Sequence, residues 1–355
     1  FNETDLHIYM LVRGESDAIA KQKMLESAAF WGIAEQALVR RGTVLRGDVE
    51  ANDFGLSGEQ LEAILPELQY VIHSASSIHL NRPIEVARRS IVGGLKHALE
   101  LAKRAPQLRC FGYLSTLEIV GKYEGLFPER FASDIPRAFL NTYEAAKAEA
   151  EAVLEAESKK ESHVPFAVFR PSMVVGQASD GRALTFQSFY LMLERMLIEP
   201  LGPVAPHGCP VDTIPVDVLA RGIRVLCGLM TKGHAVYHFA QGIQDKLPFS
   251  EFVALAQPAL EHRLKRSIQP PRFLPVKLFI YLLSAARYVT FGSLARSVRT
   301  QLMFIRFLEL EWNFDTENTR EALRCAGVEQ PKFEEYLGPL LDYYLANRSE
   351  NRLPI

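Results

Sequence analysis

The feature that most constrains this chain is the alternation of short apolar runs with longer helical runs from residue 7 to residue 240. Residues 7–13, 43–49, 70–75, 109–115, 166–170 and 235–240 read as strands, being short, rich in Val, Ile, Leu, Phe and Tyr, and bounded by polar or Gly/Pro segments. Between them, residues 16–41 read as mostly helical, 56–65 as a short helix, 83–103 as a helix with Pro83 in its first turn, and 143–159 as an Ala/Glu-rich helix. Strands separated by helices predict parallel pairing, because a parallel pair needs a long crossover. The fold class is therefore α/β, a doubly wound parallel sheet with helices on its faces.

After Gly176 the pattern changes. Residues 185–197 read as an amphipathic helix carrying Phe186, Phe189, Tyr190 and Leu193, and residues 200–210 as a Pro/Gly loop. Residues 211–217 lead into a further helix, and from Leu247 onward the chain reads as helical, with Asp315 or Thr316 as an N-cap. At 355 residues the chain is long for one compact domain. We expect a nucleotide-type domain over residues 1–176 and 211–243, and a smaller, mostly helical cap over residues 177–210 and 244–355 that binds substrate.

Composition excludes some classes of function. A net charge of −2 gives no global electrostatic basis for binding nucleic acid or an anionic membrane. Cys110, Cys209, Cys227 and Cys325 are far apart in sequence with no Cys-x-x-Cys, which argues against a zinc site or a disulfide framework and fits a reducing, cytoplasmic compartment. The longest apolar run, residues 278–286, is shorter than the about 20 residues of a spanning helix. It reads as a core helix. With Phe273, Leu274, Val289 and Phe291 beside it, the other reading is a peripheral surface facing a membrane or an acyl chain.

The chemistry concentrates in two segments. Tyr143 and Lys147 stand four apart at the start of a helical run, so they share one helix face. An ammonium beside a phenol favours the phenolate, and the expectation is that Lys147 lowers the pKa of Tyr143. Upstream, the strand over residues 109–115 ends in Ser115 and Thr116, a hydroxyl pair that can hold a carbonyl against the phenol. This is proton-transfer machinery for carbonyl/alcohol redox chemistry.

With these residues in view, the chain resembles the extended short-chain dehydrogenase/reductase family. The matching pieces are Gly47-Asp48-Val49, His73-Ser74-Ala75-Ser76, Ser115-Thr116 with Gly121, Tyr143 with Lys147, Arg170-Pro171, and Pro215-Val216-Asp217. Residues 8–14 and the Lys-containing helix after them most resemble the acyl-thioester reductase branch: fatty acyl-CoA reductases and the terminal reductase domains of carboxylic acid reductases and peptide synthetases. The resemblance implies a Rossmann-type sheet and NADP(H). Arg13, aided by Lys23, would take a ribose 2′-phosphate. Asp48 would contact the adenine amino group, and Val49, His73, Ser74, Ala75, Ser76, Ser115, Arg170 and Pro171 would line the cofactor. Within that set, His73 itself reads as a packed core histidine. Lys147 would hold the nicotinamide ribose as well as tune Tyr143.

Of the hydroxyl pair, the resemblance selects Thr116, five residues before Gly121. It further implies that Ser172, Met173, Val174 and Gly176 line the thioester end, with Phe186 and Phe189 as plain core or as an acyl groove, and His207 and Asp212 flanking the cleft. The implied reaction is NADPH-dependent reduction of an acyl-CoA or carrier-protein-bound acyl thioester to an aldehyde, or on to the alcohol. The implied assembly is a homodimer. Two alternatives stay open. One is another extended reductase or epimerase acting on a nucleotide-sugar or hydroxysteroid-like substrate, with Arg263, Lys265, Arg266 and Arg272 as a diphosphate clamp. The other is a non-catalytic NAD(P)-sensing module.

Two departures from the family pattern stand out. Ser90 occupies the position where the family places an Asn on the helix after strand four. The sequence also opens on what reads as the second strand, without the Gly-rich turn that cradles a pyrophosphate. In the usual order 3-2-1-4-5-6 the first strand is central, so the expectation is an upstream strand–loop–helix of about 30 residues. The competing reading is a defective nucleotide fold.

Overall fold

The computed structural model describes residues 4–80, 82–161, 163–200, 204–207, 210–292, 298, 302 and 310–349. Strand β1 (Ile8–Val12) leads through α1 (Asp17–Phe30) and α2 (Glu35–Arg41) to β2 (Gly42–Arg46), which pairs with it in parallel, Ile8 opposite Gly42 and Val12 opposite Arg46. Helix α3 (Gly58–Ile64) starts in a capping box, in which Ser57 and Gln60 each bond the other's backbone N–H. Strand β3 (Tyr70–His73) follows, then α4 (Ile84–Arg88) and α5 (Gly94–Lys103), joined by a π turn over Arg89–Gly93. Next come β4 (Cys110–Leu114), the short β5 (Leu126–Phe127), α6 (Thr142–Ser158) and β6 (Phe166–Pro171).

After β7 (Met173–Val175) and α7 (Phe189–Leu193) come β8 (Val204–His207), β9 (Pro210–Val211), β10 (Thr213–Pro215), α8 (Val216–Leu229) and β11 (His234–Phe239). Strands β3, β4, β6 and β11 form one parallel sheet in the order β11-β6-β4-β3. Its strand β6 is buried along its whole length, as expected of a strand covered by helices on both faces. The α/β class and parallel pairing follow the sequence expectation. Among the described residues no ladder joins β1 to β3: the β1-β2 pair and the four-stranded sheet are separate.

Helices α5 and α6 pack on one sheet face through Leu95, Leu99, Ala146, Ala150 and Leu154. Helix α8 covers the other through Val218, Leu219 and Leu226. A third core joins α7, α9 (Phe249–Leu264) and the helix Phe333–Asn347 around Phe186, Phe189, Tyr190, Phe252, Phe333 and Tyr344.

Several boundaries differ from the sequence reading. Helix α7 begins at Phe189 rather than at residue 185, because Ser188 takes a positive φ of 33° and breaks the helical path. The expected 200–210 loop contains β8, paired in parallel with the strand Arg272–Pro275; residues 201–203, 208 and Cys209 lie outside the described residues. Strands β2 and β3 end earlier than expected, leaving Asp48 and Ser74–Ser76 on the segments beyond them. The helix Val276–Val289 buries Phe279 but exposes Leu278, Tyr281, Leu282 and Tyr288, so the apolar run is only half a core element. Part of the apolar 273–310 tract lies outside the described residues. No helix of the described residues is long and apolar enough to cross a membrane.

Candidate active site

Two local starts place the reactive groups. Thr116 is extended at φ −157° and caps the turn Leu117–Val120, its Oγ1 accepting the Glu118 N–H at 3.2 Å. That turn closes on Gly121 at φ 53°, where a Cβ would collide with the Ala138 carbonyl oxygen, so both conformation and contact demand glycine. Asn141 caps α6, its side-chain oxygen accepting the Glu144 N–H at 2.9 Å. Tyr143 therefore lies in the first turn of α6, with Lys147 and Glu151 below it at successive four-residue steps on the same face.

The structure brings Thr116, Tyr143 and Lys147 together. The Thr116 hydroxyl lies beside the Tyr143 phenol and favours its ionised form. Lys147 Nζ donates to the Leu114 carbonyl at 2.8 Å and stands 4.8 Å from the Tyr113 ring centre and 6.0 Å from that of Tyr143. His73 stacks on Tyr113 at 5.9 Å. Burial, with the Lys147 charge, holds the His73 imidazole down at about 4, so it is a neutral packed residue, as read from sequence.

The electrostatics correct one expectation. Burial, then the Glu118 carboxyl, raise Tyr143 above its ordinary value, and the nearby Thr116 hydroxyl offsets only part of this. Burial also brings Lys147 down to about 7, against the pull of Glu151. Lys147 thus does not produce a phenolate here. Tyr143 is a protonated phenol, a donor rather than a base.

Sequence reasoning missed Glu118. Its Oε2 is buried without a hydrogen-bond partner, and burial pushes the carboxyl up to about 7. It acts electrostatically on both Tyr143 and Glu144. The available signal was a lone carboxylate inside the apolar run Leu117-Glu118-Ile119-Val120 directly after the reactive hydroxyl.

Ser115 and Arg170 are corrected more firmly. Arg170 is fully buried; its guanidinium bonds Glu151, at 2.5 Å for the shortest contact, the His238 ring at 2.8 Å, and the Pro128 and Arg130 carbonyls. Ser115 Oγ donates to the same Glu151 carboxylate at 2.5 Å. His238 accepts from Arg170 through Nε2 and donates through Nδ1 to the Asp315 carbonyl; burial and that neighbouring guanidinium keep it neutral. Both residues, with the buried Pro171, brace the sheet behind the site and present no surface to a cofactor.

Phe186 and Phe189 are 2% and 1% exposed in the third core and form no groove. Gly176 is also buried, its N–H on the Tyr190 hydroxyl. Ser172 and Met173 are half-buried and Val174 is exposed. Asp212 accepts the Gln241 N–H at 3.1 Å, and burial pushes its carboxyl up to about 6. The supposed diphosphate clamp is engaged elsewhere: Arg263 pairs with Asp342 and Arg266 donates to the Ile198 carbonyl.

Beyond β1, in the separate β1-β2 pair, Arg13 is 65% exposed and pairs with Asp48 at 2.5 Å, with Glu50 at 3.5 Å. Lys23 donates to the Arg13 carbonyl at 3.1 Å. Ser74 and Ala75 are exposed, and Val49 and Ser76 half-buried. These residues lie past the carboxyl ends of parallel strands, where open α/β sheets bind ligands. Cys110 and Cys227, distant in sequence, are free thiols buried in the same core, and the Cys110 neighbour and burial raise the Cys227 thiol.

A parallel α/β sheet with Thr, Tyr and Lys close together beyond its strand ends has the architecture of the extended short-chain dehydrogenase/reductase class. The chain belongs to the NAD-binding family described as male sterility protein, which it matches over residues 2–223. It is 23% identical over 299 residues to a putative fatty acyl-CoA reductase of Drosophila melanogaster, covering 72% of this chain and 53% of that one. It is 24% identical over 278 residues to a carboxylic acid reductase of Segniliparus rugosus, covering 69% of this chain and 22% of that one. The chain thus spans about half or less of the length of these curated relatives. In fold it is similar to the terminal R domain of the myxalamid PKS-NRPS pathway, with a TM-score of 0.79 and 21% identity over 100% of this chain and 87% of that one.

Proposed function

We propose that this protein reduces an acyl thioester with NADPH, releasing an aldehyde and a free thiol. The observation that carries the reading is the convergence of Thr116, Tyr143 and Lys147, with Tyr143 held as a protonated phenol.

The residues that follow β1, β2 and β3 fit the adenosine end of a dinucleotide. Small Ser74 and Ala75 leave the end of β3 open to close approach, and the exposed Arg13 offers a planar, charged donor at the end of β1. Arg13 and Lys23 favour the 2′-phosphate of NADPH, Asp48 and Val49 would face the adenine, and Lys147 would hold the nicotinamide ribose. When bound, the nicotinamide supplies the hydride that adds to the thioester carbonyl carbon. Tyr143 and Thr116 both donate hydrogen bonds to the oxyanion that develops there, and Tyr143 gives it a proton. Thr116 Oγ1 accepts the Glu118 N–H, and its one hydroxyl hydrogen would turn from the phenol to the oxyanion. Tyr143, deprotonated by that step, takes the hydroxyl proton back as the hemithioacetal collapses, and the departing thiolate takes one proton from solvent to become the free thiol.

Ser172, Met173 and Val174 would contact the acyl or thioester end, on the boundary between the nucleotide domain and the cap over residues 177–210 and 244–355. The thiol carrier is coenzyme A or the phosphopantetheine arm of a carrier protein. The kinship to thioester- and carboxylate-reducing enzymes supports this choice over an alcohol or sugar substrate.

The test is to incubate the protein with NADPH and a long-chain acyl-CoA or the same acyl group on a carrier protein, and to measure NADPH loss against thiol release. One NADPH per thiol identifies an aldehyde product, and two an alcohol. Loss of neither with both carriers, while NADPH binds, rejects the thioester reading.

A further inference from the structure

Helix α10 (Val276–Val289) is apolar on two opposite faces. Its inner face buries Phe279, with Ile280 and Leu283 packed against the third core. Its outer face carries Leu278, Tyr281, Leu282, Ala285 and Tyr288, which recur at helical spacing as one stripe, and all of them are exposed. Tyr281 is 70% exposed, and Phe291, just past the helix end, 83%. A surface helix ordinarily turns polar and charged residues to solvent. A contiguous apolar stripe on that side marks an interaction surface.

The charge around the stripe is one-sided. Residues 262–308 hold nine Lys or Arg and no Asp or Glu, against 31 basic and 42 acidic residues in the rest of the chain. The small net charge therefore conceals a segregated basic and apolar segment. Arg263 in it is spent on Asp342. Lys265, Arg272 and Lys277 are exposed and form no ion pair among the described residues. Arg272 and Lys277 flank the start of the stripe.

This combination selects among occupants. A second copy of the chain, set stripe to stripe, would bring cation against cation. An acidic protein would answer the cations at a few points. An anionic bilayer answers both features over its whole area, with headgroup charge for Arg272 and Lys277, an acyl boundary for Leu278 and Leu282, and an interfacial layer that favours tyrosine rings. The helix rises about 21 Å over its 14 residues, short of the about 30 Å hydrocarbon core, so it can lie along a membrane but not cross one.

We propose that α10 docks this protein on an anionic lipid surface. The helix axis lies in the membrane plane, Leu278, Tyr281, Leu282 and Phe291 enter the acyl boundary, and Arg272 and Lys277 sit on the headgroups. Docking goes beyond thioester reduction and does not depend on it. It would bring the cap next to the phase in which long acyl chains collect.

The test is flotation of the full chain with vesicles of phosphatidylcholine alone and of phosphatidylcholine mixed with phosphatidylserine. The wild type should bind the mixed vesicles about tenfold or more tightly than the plain ones, and added salt should weaken that binding. Lys277→Ala should lower the partition coefficient on mixed vesicles about fivefold. Tyr281→Glu should lower it about tenfold or more with the unfolding midpoint unchanged, because the side chain is exposed. In Tyr281→Trp, the added indole emission should shift to the blue on mixed vesicles and be quenched by brominated lipid. Wild-type protein that stays unbound, or binding that Lys277→Ala and Tyr281→Glu both leave unchanged, would overturn the proposal. So would a dimer without lipid binding that Tyr281→Glu dissolves, or retention of an acidic carrier protein in place of vesicles. None of these readouts needs NADPH or a thioester, so failure of docking is told apart from failure of the reductase reading.

Discussion

Replacing Glu151 by Gln decides whether the ionic network behind the site is structural. Arg170 is fully buried and Glu151 nearly so, and their contact is bidentate, through Nε at 3.0 Å and Nη2 at 2.5 Å. Ser115 adds a third donor to the same carboxylate. Glutamine keeps the volume and loses the charge. Arginine cannot escape by shedding its proton, so the guanidinium stays buried and charged beside the neutral His238. Breaking a buried pair from one side costs about 3–5 kcal/mol, a large part of the about 5–15 kcal/mol that holds a domain together. Urea unfolding followed by Trp31 and Trp312 fluorescence would read this as a midpoint lowered by about 1–2 M, for an m-value of about 3 kcal/mol/M. The double change Arg170→Met with Glu151→Leu removes both charges and should recover most of the loss. A Glu151→Gln midpoint within about 0.3 M of wild type, joined to a loss of NADPH affinity, would refute the reasoning and return Arg170 to the cofactor.

Phe189→Ala should cost about 3–5 kcal/mol in the same unfolding assay and leave acyl-chain preference unchanged, because Phe189 is core and not groove. Burial pushes Glu144 up to about 8, so its stabilising contribution is complete below the ordinary Glu value and is lost as pH rises through about 8. Glu144→Gln should therefore flatten the fall in unfolding midpoint between pH about 4.5 and 8, and an unchanged slope would contradict this. Arg13→Ala should weaken NADPH binding by roughly tenfold or more and leave NADH binding nearly unchanged, read by fluorescence titration of each.

The fold was legible because periodicity reports on burial. Strands such as Phe166–Pro171, covered on both faces, show as unbroken apolar runs, and the helices between them force parallel pairing. The reactive trio was legible because Tyr143 and Lys147 lie on one helix face and Thr116 ends a strand. What the sequence concealed depends on long-range burial. Arg170 looks like a cleft residue at a strand end, and only the packing of Glu151 and His238 around it shows that it faces inward. The expected effect of Lys147 on Tyr143 failed because burial outweighs the pairwise charge, a quantity with no local sequence signature. Phe186 was mistaken for helix because its aromatic spacing suits α7, whereas the positive φ of Ser188 stops that helix short of it.

The most direct test of the central claim is the turnover number of Tyr143→Phe beside wild type, with NADPH and the preferred acyl thioester, alongside NADPH affinity for both proteins. The ring of Phe keeps the packing of α6 and removes only the hydroxyl. The account predicts a fall in kcat of about 10²–10⁴-fold with NADPH affinity unchanged. A Tyr143→Phe enzyme that turns over within a few-fold of wild type would contradict it.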